Sequence, residues 1–363
     1  MIPVLYPSTE TAFTTNGLGG LPDAISCVVT EQRNTQGGYF LEMEYPIDGL
    51  HFDLLAPERI IYAAPSMGNT PQPFRISRIT RPIDGIVHIE APHVSAELQK
   101  IVTYGRTVSN NPEAVWYTLT QTAIGLGQST RATWLMTDIL SAEDKTIEFA
   151  EPTALSDILV GHKGSIVDTY GGELSYDNWL ITLKQNRGVD SGIEIRYGVN
   201  MNDIEAETDT SELVTAVIPY WKGSVNNQDV VVMGDMCSSG NAGAFAYVRC
   251  IPLDVSSQFD LEQDQQPSKD DVTAKGRAYI SATDLDELTM SINVKYTPIT
   301  NGIGERRINL CDTVSVVHPD LGVSSKAKVV ETKYNTLTEK YDGLTIGSIK
   351  QTIVDTIAAL LRR

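Results

Sequence analysis

Basic residues are scarce in this chain. Lys and Arg number 28 against 46 Asp and Glu, a formal net charge of −18. The positive footprint that neutralises phosphates is therefore missing, and duplex DNA nearby is repelled. Cysteine is scarcer still: Cys27, Cys237, Cys250 and Cys311 lie far apart with no C-x-x-C spacing. That excludes a zinc ribbon or a redox motif and predicts reduced, mostly buried thiols. The five histidines, His51, His88, His93, His162 and His318, form no H-E-x-x-H and no i, i+4 pair, which argues against a zinc hydrolase. His88 and His93, on either side of Pro92, read as structural residues. No stretch approaches the roughly 20 apolar residues of a membrane span. The start, MIPVLYPSTE, has neither the basic nor the apolar region of a signal peptide, so no export by that route is expected.

Catalytic signatures are equally thin. A G-x-S-x-G nucleophile is absent, and the scattered cysteines have no activating neighbours in sequence. GLGQST at 125–130 follows a helical pattern rather than a strand, and GHKGS at 161–165 lacks phosphate-loop spacing, so both read as turns. Asp284 and Asp286 are carboxylates of the type glycosidases pair, but among 46 acids such a pair selects nothing. No catalytic, cofactor-binding or metal-binding residue is assigned from the sequence, and no cofactor is expected.

What is present is ordinary globular material: 363 residues, 41% hydrophobic, 20% charged and 7% aromatic. That length predicts two to four domains with real cores. Residues 39–45 carry the clearest early strand, with Leu41, Met43 and Tyr45 alternating with Glu42 and Glu44 after a Gly37-Gly38 turn. Further short strands are expected at 59–63, 74–81 and 85–91, a rhythm that suits a small antiparallel barrel or sandwich over 1–95.

Helical signals then take over. Asn111 is placed as an N-cap with Pro112 at the first helical position, and Val115, Trp116, Leu119 and Ala123 mark one face up to Gly125. Helices are also expected at 153–160 and 165–170, the latter stopped by Gly171-Gly172. ELSYDNWLITL reads as a hairpin turning at Asp177-Asn178. Residues 96–188 thus predict an α+β domain, in which Trp116 and Trp179 are core residues. Tyr and Trp, 15 and 4 in number, are the only cue to a carbohydrate-binding module.

The second half returns to strands, the best at 287–296, preceded by an acidic, Gln-rich loop, DLEQDQQPSKDD, and a helix-compatible stretch. The loop's spacing does not fit a calcium site and reads as a solvated connection. The chain closes with SIKQTIVDTIAALLRR, an expected amphipathic helix over 346–363. Its Ile346, Ile349, Ile353, Thr356 and Leu360 step by 3 and 4 residues, a short seam that docks on its own domain or meets copies of itself.

Several blocks resemble a known family. TNGLGGLPDAISCVVTEQRN, GGYFLEMEYPIDG, QPFRISRITRPIDGIVHIEAPHVS, GSIVDTYGGELSYDNWLITLKQNRG and LCDTVSVVHPDLGVSSKAKVVETKYNTLTEKYDGLTIGS look like the prophage tail endopeptidase family, in the same order along most of the chain and most weakly between 222 and 285. The resemblance implies a β-rich α+β, multi-domain fold like a contractile-phage baseplate hub. Its parts would be a first barrel-like domain at 1–95, the α+β domain at 96–188, a second β-rich barrel-like domain at 189–345 and the helix at 346–363. It implies a homotrimer at the virion tail tip, made in the bacterial host cytoplasm. Such a trimer would adapt the sixfold tail tube or distal tail protein ring to a threefold tip and close the tube. Tape-measure protein, spike or receptor-binding fibres are further implied partners, and DNA would pass through without specific binding. The family name points to a peptidoglycan endopeptidase, the alternative reading. In longer members that activity is expected in a separate module beyond the hub region, so this chain is expected to be structural and not an enzyme.

Overall fold

The computed structural model describes residues 1–80, 85–139, 145–196, 201–209, 213–259, 261, 264–283, 286, 288–296, 307–318 and 323–351. The chain forms two compact units interleaved in sequence: Met1–Glu205 with Ile292–Gly347, and Ala206–Ser291 with Ser348–Arg363.

In the first unit, an antiparallel run of strands is ordered Arg78–Thr80, Ile86–Pro92, Tyr39–Pro46, Ser26–Gln32 and Val323–Asn335. The alternation in Tyr39–Pro46 decides which face is buried. Leu41, Met43 and Tyr45 are at most 2% exposed and stand opposite Ala91, Ile89 and Val87. A second sheet, Gly19–Gly20, Val4–Tyr6, Ile60–Ala63 and Gln72–Arg75, contributes Leu5, Ile61 and Phe74 to the same core. The strand expected at 74–81 is split between these two sheets. At Ile76 and Ser77 the backbone changes partner, from Arg59 O to Glu90 O, the corner that lets a strand path pass from one sheet to another. Residues from far along the chain extend the large sheet: Val323–Asn335 also pairs with Thr313–His318 and Lys340–Gln351, and Asp190–Arg196 runs parallel to Thr313–His318.

An α+β layer with its own core belongs to the same unit. Helix α1 (Pro112–Gly125) begins as its sequence requires, the Asn111 side chain accepting the Ala114 N–H at 2.9 Å. Val115, Trp116, Leu119 and Ala123 are all fully buried, and the Trp116 indole N–H donates to Ala132 O at 3.0 Å. The helix expected at 153–160 is shorter, α2 (Leu155–Leu159), because Thr153–Ala154 pairs with Val102–Thr103 as a strand. Helix α3 (Ile166–Tyr170) is capped by Ser165 and ends at Gly171 and Gly172, whose φ values of 78° and 93° favour glycine. The hairpin Glu173–Asp177/Leu180–Lys184 turns one residue later than expected. Asp177 pairs with Leu180, leaving Asn178 (φ 53°) and Trp179 as the turn, with the Trp179 indole held by Glu97 at 3.1 Å.

The second unit centres on Ala216–Val225, paired antiparallel with Gln228–Met233 and Cys237–Ser238 and parallel with Cys250–Asp254. Asn226 and Asn227, with φ 52° and 59°, supply the left-handed pair of a tight hairpin turn. Helix α4 (Lys269–Ala282) begins inside the stretch expected as an acidic loop, whose closing Lys269, Asp270 and Asp271 form its first turn, because Ser268 and Asp271 make a capping box. It lies close enough to the sheet that a Cβ on Gly276 would come within 2.6 Å of Pro219 Cγ and 3.1 Å of Cys237 Sγ. Gly276→Ala is therefore expected to lower stability by about 1–3 kcal/mol, overriding alanine's helix advantage of about 1 kcal/mol. Urea unfolding of the variant reads this directly, and a more stable variant would refute the close approach.

The terminal helix expected from 346 is corrected over its first residues. Lys340–Gln351 is a strand, and the fully buried Ile346 pairs with Val329. Partners across the sheet outweigh the helical spacing there, while residues 352–363 lie outside those described. The strand expected at 287–296 is found at Leu288–Tyr296; the facing of its side chains lies outside the described features.

Candidate functional site

The residues singled out by type do not converge on one centre. His93 is fully buried at the end of Ile86–Pro92. Its Nδ1 accepts the Ser95 N–H at 3.2 Å, which puts the ring proton on Nε2, facing Gln72 Oε1 at 3.4 Å. The ring stacks on Tyr39 with centroids 4.4 Å apart, and burial lowers its pKa to about 3. It is a neutral, buried histidine. His88 lies on the outer face beside Glu44 at 3.3 Å, and His51 Nδ1 is 2.9 Å from Gly20 O. His162 Nε2 stands 3.8 Å from Asp157 Oδ1, but the neighbouring Ser156 hydroxyl bonds to Asp157, so no serine–histidine relay forms there. His318 ends Thr313–His318.

All four cysteines are free, three of them buried. Burial pushes the Cys27 and Cys311 thiols up to about 12, far from the thiolate a nucleophile requires. Among the described residues no cluster of three or more His, Cys, Asp or Glu is placed to hold a metal. Asp284 lies outside the described residues. Trp116 and Trp179 are buried core residues. Trp134, not singled out from the sequence, is 66% exposed, with its ring 6.0 Å from that of Tyr117.

What the fold does assemble is an ionic lock inside the first unit. Glu173, 1% exposed at the start of its hairpin, receives Lys328 Nζ at 2.6 Å, Arg33 Nε at 3.0 Å and the Arg187 backbone N–H at 2.7 Å. Burial pushes its carboxyl upward, but these donors outweigh burial and hold the pKa below the usual carboxylate range. Arg187, directed back toward the sheet, reaches Glu31 Oε1 at 2.7 Å and Leu174 O at 2.9 Å. Asn34 bonds both Gly172 O and Leu174 N, and Gln36 reaches Ser156 and Asp157. The turn between Ser26–Gln32 and Tyr39–Pro46 is thereby fastened to the α+β layer, and Lys328 adds the distant strand Val323–Asn335.

Sequence reasoning passed over this lock because its members are single charges at positions 31, 33, 173, 187 and 328. One signal was available. Cys27, Val29 and Glu31 form an alternating inward-facing set, and an acid on that face requires a buried partner.

Comparisons with known proteins define the class of fold. A family model described as prophage endopeptidase tail matches residues 189–357. In structure, the chain is similar over 100% of its length to 99% of prophage tail protein gp18 from Listeria monocytogenes EGD-e, with a TM-score of 0.60 and 18% identity. It is similar to the 43 kDa tail protein of prophage MuSo2 from Shewanella oneidensis, with a TM-score of 0.59, 11% identity and coverage of 96% of this chain and 98% of that one. The tail protein from Neisseria meningitidis MC58 gives a TM-score of 0.55 at 8% identity, covering 99% and 98%. None of the curated proteins matches. At these identities the structures share a fold. The resemblance to the prophage tail endopeptidase family is borne out in sequence over the matched segment, and the β-rich α+β fold is that of prophage tail proteins along the chain.

Proposed function

We propose that this chain is a structural tail-tip or baseplate hub protein of a phage, prophage or related particle. Three copies form a ring that adapts a sixfold tail tube or distal tail protein ring to a threefold tip and closes the tube. Barrel-like regions within 1–95 and 189–345 dock the ring, and the α+β region of 96–188 faces the distal tip. The observation that carries the reading is the correspondence of fold over nearly the whole of both chains with prophage tail protein gp18, joined to the family match at 189–357. The buried ionic lock supports it, because a part that transmits load at a tail tip needs its layers fixed in one geometry.

Co-expression with a distal tail ring protein tests this function. The expected result is a co-eluting complex with three hub chains per six ring chains; separate elution would contradict it. The family's description supports a second reading, a peptidoglycan endopeptidase. Zymography on cell walls separates the two, since a scaffold leaves no cleared band and an endopeptidase leaves one.

A further inference from the structure

A cleft of about 710 Å³ opens in the first unit, bordered by the loop at Ser8 and Thr9, the corner after Arg75, the turn at Glu97–Lys100 and the segment Ser129–Arg131. Its charges are not equivalent. Arg75 is fully engaged, with Nε and one terminal nitrogen on Glu97 Oε1 at 3.0 and 2.7 Å and the other on Ser8 O and Glu58 O. Glu97 is likewise spent, since its second oxygen accepts the Trp179 indole N–H at 3.1 Å. Glu58 lies 3.9 Å from Arg75. Lys100 and Arg131 remain. Among the described residues neither has a carboxylate partner, and Arg131 is held over the Trp179 ring at 5.1 Å, which orients the guanidinium without neutralising it.

Two uncommitted cations in one cleft stand out in a chain with a net charge of −18. With Arg75, Lys100 and Arg131 against Glu58 and Glu97, the lining carries an excess of positive charge while its histidine, His93, is neutral. Ser129 and Thr130 add hydroxyl groups beside Arg131. Guanidinium, ammonium and hydroxyl donors together suit the oxygens of a phosphoryl group. The cleft is far larger than a lone phosphate and falls in the size range of small-molecule sites, with polar and apolar walls for a polyol or sugar body.

We infer that this cleft binds a phosphorylated sugar or polyol, with Arg131 and Lys100 receiving the phosphate. The site is independent of the hub reading, because it requires neither a trimer nor a tail.

Isothermal titration calorimetry of the full chain with inorganic phosphate, glycerol 3-phosphate, glucose 1-phosphate, glycerol and glucose tests it. The expected result is binding of the phosphorylated compounds, weaker binding of phosphate alone, and none of the neutral ones. Arg131→Gln and Lys100→Gln should each weaken binding on the order of tenfold, while Arg131→Lys restores part of the loss. Both side chains are at the surface, and an unchanged thermal unfolding curve shows each variant is folded. Glucose binding as well as glucose 1-phosphate, affinity unchanged in Arg131→Gln and Lys100→Gln, or no heat from any phosphorylated compound would each overturn the inference.

Discussion

Replacing Glu173 by Ala is expected to destabilise the first unit by about 3–5 kcal/mol, the usual consequence of leaving buried charges without their partner. Lys328 and Arg33 would lose the acid that lies 2.6 and 3.0 Å from them, and the Arg187 N–H would lose its acceptor. Glu173→Gln keeps the shape and one acceptor, so it should cost less. Adding Lys328→Met to Glu173→Gln should recover part of the loss, which a double-mutant cycle measures as a coupling of at least about 1 kcal/mol. Additive effects would show that the lock is not a unit. The acid dependence has a definite sign. The folded pKa of Glu173 is depressed, so its contribution is complete above the unfolded value of about 4.3 and is lost as pH falls through the lower folded value.

His93 governs a different window. Its folded pKa is about 3 and its unfolded value about 6.5, so between these limits the unfolded chain binds a proton that the folded chain refuses. Stability therefore rises with pH across that range and falls on acidification, by up to about 1.4 kcal/mol per pH unit from this residue. Between pH 6.5 and 4.5 wild type should lose roughly 2–3 kcal/mol more than His93→Phe. The phenyl ring keeps a surface for stacking on Tyr39 but cannot titrate. Urea unfolding of both proteins at the two pH values is the check. Equal losses would mean His93 is solvated in the folded protein, contrary to its complete burial.

Local chemistry makes some of this molecule legible in its sequence. Asn111 and Pro112 announce α1, because a cap acceptor and a fixed φ are properties of those two residues alone. The alternation at Leu41, Met43 and Tyr45 announces its strand for a similar reason. The hairpin turns one residue later than its sequence predicts because Trp179 sits in the turn to reach Glu97, a contact 82 residues away in sequence. The union of Ser26–Gln32 with Val323–Asn335 was out of reach, since register between strands about 300 residues apart leaves no local trace. Ile346 shows the converse, a helical spacing overridden by its pairing with Val329. For the candidate sites, Glu31 was the one readable clue. Arg131 and Lys100 carry no motif, and only the folded chain brings them to one cleft.

Assembly is read from the absolute mass of the purified chain by light scattering, alone and with a distal tail ring protein. A mass of about three chains, in isolation or on the ring, is the predicted result. A monomer that stays a monomer in the presence of the ring would refute a trimeric hub.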